Sequence, residues 1–172
     1  MRDTLEKLVC SWDGKTTSTL KTAYERFHLQ PGFVDHLIDL STDQSCDRGA
    51  TWLLKHAFSK GEPALSEKRS ARHLAALAHF SHWETRLHLL QYFDHLTIPG
   101  EAERPLHVFI LQSLEAENRF LRAWAYYALA LHAERFPLHR NEALDRLKEA
   151  MTRETAGSVR VRVLKALERI NP

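Results

Sequence analysis

Leu121-Arg122-Ala123-Trp124-Ala125-Tyr126-Tyr127-Ala128-Leu129 and Val159-Arg160-Val161-Arg162-Val163-Leu164-Lys165-Ala166-Leu167 are the stretches that decide the fold. In both, an apolar residue precedes an arginine, and an Ala-Leu pair follows that arginine at offsets of six and seven. Apolar residues recurring every three or four positions put one stripe of a helix in a core, whereas a strand would alternate with period two. Working outward, an arginine also stands early in alternate helical segments at Arg48 and Arg86, so the four anchors are separated by 38, 36 and 38 residues. A fixed period between 20 and 50 residues signals stacked structural repeats.

An apolar partner segment precedes each anchor: Phe33, Val34, Leu37 and Ile38; Leu74, Leu77 and Ala78; Leu106, Phe109, Ile110 and Leu114; Leu144, Leu147 and Met151. The unit is therefore a two-helix hairpin. Helical periodicity and start and stop signals divide the chain into segments 3–11, 17–29, 32–40, 44–59, 66–80, 82–96, 103–115, 118–135, 138–153 and 158–170, an all-α protein. Asp3 with Glu6, Ser41 with Gln44 and Ser81 with Glu84 have the spacing of capping boxes. Pro31 and Pro137 fit first helical turns, where a missing N–H costs nothing, and Gly61-Glu62-Pro63 and Pro99-Gly100 mark breaks.

The motifs Leu121-Arg122-Ala123-Trp124-Ala125 and Ser158-Val159-Arg160-Val161-Arg162, with Pro105-Leu106 early in a first helix, resemble the HEAT and armadillo repeat family. That resemblance implies a right-handed α-α superhelix, a solenoid of four to five helical hairpins forming one domain over residues 1–172. Residues 31–172 would supply about four repeats and residues 1–30 a cap or a degenerate repeat. In that family an acid in the turn within a repeat commonly pairs with the arginine. Asp43 and Glu117 lie five residues before Arg48 and Arg122, while Ser81 and Thr155 hold the equivalent places for the other two anchors.

With 44% hydrophobic and 27% charged residues, six glycines and six prolines among 172 positions, collagen-like, low-complexity and disordered classes are excluded. A net charge of +2 permits nucleic acid as a partner without demanding it. Cys10 and Cys46, 36 positions apart and outside any CxxC, read as free thiols of a reducing compartment. The charged start, Met1 to Lys7, lacks the apolar core of a signal peptide. A cytoplasmic location is expected. The longest apolar run, Ala123 to Leu131, is about half of the roughly 20 residues needed to span a bilayer, so no membrane is expected as a partner.

Six of the eleven histidines, His73, His79, His82, His88, His95 and His107, crowd the middle third. His79 and His82 straddle a capping position, His88 and His95 lie seven apart, and no HExxH or Cys/His ligand set occurs. The HEAT-like di-iron hydroxylases carry His-Glu dipeptides, and no histidine here precedes a glutamate. No metal and no cofactor are therefore expected. Glu84, His88, Gln91 and His95, spaced by 4, 3 and 4, form one polar stripe. Second helices of HEAT-like units line the concave surface, which the resemblance turns into a binding groove. The groove candidates are Arg48, Arg86, His88, Gln91, His95, Arg122, Tyr126 and Arg162.

Segment 118–135 is apolar on every side and reads as buried, with Trp124 filling volume between layers. Arg162, Lys165 and Arg169 make a basic face on the last helix, suited to phosphate or to the macrodipole at a helix end. Asp35, Asp39, Asp43 and Asp47 fall at intervals of four but are interrupted at Ser41-Thr42, which divides them between two helices. No Gly-rich phosphate loop or GxSxG elbow occurs. The expected function is a non-catalytic helical-repeat module that binds a protein segment. Two alternatives stay open: a nucleic-acid-binding protein related to the HEAT-like alkylpurine DNA glycosylases, and a metal or tetrapyrrole handler like the HEAT-like bilin lyases.

Overall fold

The computed structural model describes residues 2–170. It is all-helical, with no strand among those residues. The α-helices are α1 (Arg2–Cys10), α2 (Ser18–Phe27), α3 (Phe33–Leu40), α4 (Asp47–Ser59), α5 (Glu67–Leu74), α6 (Trp83–Gln91), α7 (Gly100–Leu114), α8 (Arg119–Arg135), α9 (Arg140–Arg153) and α10 (Gly157–Ile170). Short 3-10 turns lie at Leu77–His79, Phe93–His95 and Pro137–His139. No described helix is long and apolar enough to cross a membrane. The chain divides after Pro99 into two compact units.

Several helix ends use other residues than the sequence pattern indicates. Ser41 closes α3 instead of opening α4: its hydroxyl donates to Ile38 O at 2.7 Å. The imidazole of His82, not Ser81, caps α6, with Nδ1 accepting from Glu84 N at 3.1 Å. Asn118 caps α8, its Oδ1 accepting from Phe120 N and Leu121 N. Asp35 and Asp39 lie on α3, Asp43 accepts from Ser45 in the following turn, and Asp47 begins α4.

Within the first unit, α3 packs on α4 and α5, and α4 on α6. Its core is built by Leu37, Ile38, Leu53, Leu54, Leu89, Leu90 and Phe93, all fully or almost fully buried. In the second unit α8 packs against α7, α9 and α10. Ala125, Ala128, Leu129 and Ala130 on α8 and Val163 and Ala166 on α10, two helices that pack together, are buried in its core. The alanines let helix axes approach closely.

The sharpest departure from the sequence reading joins α1 to α4. Cys10 and Cys46 are not free thiols; they form a disulfide. One turn into α4, a Cβ on Gly49 would lie 2.6 Å from Val9 O and 3.0 Å from Val9 Cγ1. Glycine is thus required by contact with a neighbouring backbone, not by its φ. Gly49→Ala is expected to cost about 2 kcal/mol, because the overpacking strain exceeds the roughly 1 kcal/mol that alanine gains in a helix. Gly100→Ala, with nothing within 4 Å of the new methyl group, is the reference substitution. Urea unfolding followed by tryptophan fluorescence compares the two, and equal midpoints would remove the close-approach argument.

Candidate functional site

Three of the four residues of the polar stripe, Glu84, His88 and His95, meet α4. Arg48 pairs with Glu84, Thr51 Oγ1 meets His88 Nδ1 at 3.1 Å, and the Phe58 ring stacks on His95 with centroids 4.6 Å apart. These partners are separated by 36 or 37 positions, so α4 and the α6 region run parallel with the sequence period as their offset. First helices repeat the pattern. Asp35 on α3 receives Arg69 and Arg72 of α5. In the other unit, Glu115 beyond the end of α7 pairs with Arg153 of α9. A polar stripe at helical spacing is here part of the interface between α4 and the α6 region, not a solvated face.

His88 is 4% exposed. Thr51 donates its hydroxyl proton to Asp47 O at 2.7 Å, so it accepts from His88 Nδ1–H, and burial drives the His88 pKa down to about 3. His73 of α5 repeats the device. Ser41 donates to Ile38 O, accepts from His73 Nδ1–H at 3.0 Å, and Tyr92 O–H donates to His73 Nε2 at 2.8 Å. That chain satisfies the neutral imidazole at both nitrogens, and burial lowers the His73 pKa to about 4. Gln91 is partly buried with Oε1 lacking a partner.

The repeating arginines share a structural task. Arg86 Nη1 donates to Phe80 O, Arg122 Nη1 to Ala116 O and Arg160 Nη1 to Glu154 O, in each case to the carbonyl six residues earlier. Each pins the turn that precedes its own helix. Arg122 also grips Glu154 with two parallel bonds of 2.8 and 3.0 Å, and Tyr126 O–H donates to the same carboxylate at 3.3 Å. Arg122 holds the Glu154 carboxyl below the usual range. Burial, with the Glu154 charge nearby, pushes Tyr126 up to about 12. The acids that meet Arg48 and Arg122 are thus Glu84 and Glu154, each 32 to 36 positions further along the chain, rather than Asp43 and Glu117 in the preceding turns.

Arg162 is placed differently. Its guanidinium lies 3.8 Å from the Trp124 ring centroid and 5.5 Å from that of Tyr127. Arg169 reaches Tyr127 and pairs with Glu134. Trp124 is consequently a part-exposed surface ring, not an interlayer filler. Phe120, Val161 and Leu164 on the same two helices are exposed.

A further constellation lies in the second unit. His107 of α7, His132 of α8 and His139 of the 3-10 turn each offer one nitrogen within 4.8 Å of the other two. His107 and His139 stack with centroids 3.8 Å apart. His107 Nε2 lies 3.1 Å from Glu142 Oε2, His139 Nε2 2.5 Å from Glu103 Oε1, and His132 Nε2 3.3 Å from Glu103 O. Nδ1 of both His107 and His132 is buried without a partner. Only His107 belongs to the histidine-rich middle third. His132 and His139 are recoverable from hairpin arithmetic: a turn near Glu117 sets Glu103 beside His132, and the 36-residue period sets Glu103 beside His139.

Comparison of the chain with models of known families, with curated proteins and with solved structures finds no match. The class defined by fold and side-chain geometry is an all-helical protein in which helices two apart in sequence pair in parallel within each unit.

Proposed function

We propose that the chain is a HEAT-like helical-repeat module that acts by binding a protein segment, with α8 and α10 as the second helices that present the binding face. The observation that carries this reading is the Trp124–Arg162–Tyr127 stack, flanked by exposed Phe120 and Val161. Tryptophan, tyrosine and arginine dominate binding energy where proteins meet, because each covers a large area and keeps a polar handle. The parallel offsets of 34 to 38 residues within each unit support stacked hairpins, and a solenoid of four to five of them is the architecture we propose.

Arg162 remains a candidate for ligand contact. Arg48, Arg86, His88, Arg122 and Tyr126 act inside the protein as pins and buried partners, which moves the proposed face away from the α6 stripe. The cytoplasmic location inferred from free thiols loses that support, since a disulfide persists best in an oxidising compartment.

Affinity capture with wild-type protein and with Trp124→Ala and Arg162→Ala, each with and without nuclease, tests the reading. A nuclease-resistant protein partner whose affinity falls by about tenfold or more in both variants supports it. A partner retained equally by both variants sinks it. Salt-dependent retardation of duplex DNA, lost in Arg162→Ala, would replace it by the nucleic-acid reading.

A further inference from the structure

We propose that His107, His132 and His139 form a mononuclear site for a divalent transition-metal ion of the zinc class. His107 and His139 stack with centroids 3.8 Å apart, an arrangement that two imidazolium rings would oppose by repulsion and that a shared cation between neutral rings would favour. Each places Nε2 against a carboxylate oxygen, and His132 places Nε2 against a backbone carbonyl. Those acceptors fix the proton on Nε2 and leave the lone pair on Nδ1.

Metal-bound histidines are oriented in this manner: the nitrogen away from the ion donates to a carboxylate or a carbonyl. The structure supplies three such acceptors, Glu142, the Glu103 side chain and the Glu103 backbone. A buried Nδ1 with no donor is rare in folded proteins, and two occur together here, on His107 and on the fully buried His132. A cation coordinated through these nitrogens would satisfy both. Part-exposed His139 completes the set and gives the ion a path from solvent.

Zinc bonds to imidazole nitrogen at about 2.0–2.1 Å, which puts tetrahedral donors roughly 3.3 Å apart. One nitrogen of each ring already lies within 4.8 Å of the other two, so side-chain rotation has to shorten these separations by about 1.5 Å. Three neutral imidazoles select zinc, cobalt, nickel or copper over magnesium and calcium, and leave a fourth position for water. The ion would join α7, α8 and the turn leading into α9. This proposal is independent of the binding face described above.

Titration of the metal-free protein with Co²⁺ tests it, with visible absorption reporting tetrahedral coordination and Zn²⁺ displacing the band. Wild type is expected to give an intense one-to-one spectrum and a Tm that rises with Zn²⁺. His139→Gln removes a ligand on a short surface turn and should weaken Co²⁺ binding at least 100-fold. Glu142→Gln, which leaves all three ligands in place, should weaken it 10–100-fold. His56→Gln, in the other unit, should change nothing. Should His139→Gln fail to fold by far-UV circular dichroism, Glu142→Gln decides. Equal Co²⁺ affinity in wild type and the decisive variant, or no tetrahedral band in wild type, would overturn the site.

Discussion

Between pH 7 and pH 4.5 the unit ending at Pro99 is expected to lose about 5 kcal/mol of stability, enough to unfold a domain of ordinary marginal stability. The cause is two imidazoles that the fold keeps neutral. His73 is fully buried and its neutral form is satisfied by Ser41 and Tyr92. His88 is held against Thr51, with Arg48, Lys55 and His82 adding positive charge around it. Their pKa values fall from 6.5 to about 4 and about 3. In the unfolded chain both titrate near 6.5. Below that pH the unfolded chain binds protons that the folded one refuses, so stability falls by up to about 1.4 kcal/mol per pH unit for each histidine.

The contribution is complete above pH 6.5 and is gone once pH drops through the folded values. His56 and His82, also lowered by burial, act with the same sign, while buried Asp47, whose pKa burial raises, opposes them as it takes up its proton. Urea unfolding at pH 7 and pH 4.5 measures the difference. The fluorescence of Trp12, Trp52 and Trp83 reports this unit. His88→Asn keeps a donor for Thr51 without a titrating ring, and should be weaker at pH 7 but flatter with pH. A wild-type stability that is the same at both pH values would show that the two rings are not held neutral.

The same histidines explain what the sequence could and could not reveal. Helix positions follow from apolar periodicity, because burial of a stripe is a local property, and the segments at 118–135, 138–153 and 158–170 match α8, α9 and α10 closely. The period of 36 to 38 residues is legible too, and it reappears as the offset between Arg48 and Glu84 and between Thr51 and His88. Orientation is not legible. A stripe of Glu84, His88, Gln91 and His95 has the pattern of a solvated face, and only the facing Arg48, Thr51 and Phe58 turn it into an interface. Hydropathy measures the preference of a residue for water, and a polar residue that finds its partner in a neighbouring helix leaves no mark on it. His132 escaped notice for the converse reason, since its neighbours in sequence are apolar while its partner is Glu103 across the hairpin.

Replacing both cysteines, Cys10→Ala with Cys46→Ala, is expected to remove about 4 kcal/mol from the first unit and leave the second unchanged. The bond closes a loop spanning 36 positions. The chain-entropy relation assigns a loop of that length nearly 13 cal/mol/K of lost freedom in the unfolded state, or about 4 kcal/mol at 25 °C. It acts where the fold has little else to fasten α1. That helix buries only Leu5 and Val9, and it is held so close to α4 that Gly49 touches the Val9 backbone. Without the bond, α1 should detach first, carrying Trp12 away from Trp52, whose ring centroid now lies 6.4 Å away. Alanine is the right replacement because Cys46 is buried and a serine hydroxyl there would need a partner. Urea unfolding of the wild type, with and without a thiol reductant, and of the double variant gives the comparison. A reduced wild type should coincide with the variant. Midpoints that do not move with reductant, together with two thiols titrated in the native protein, would show that the cysteines remain unbonded and would restore the reducing compartment as the setting of this chain.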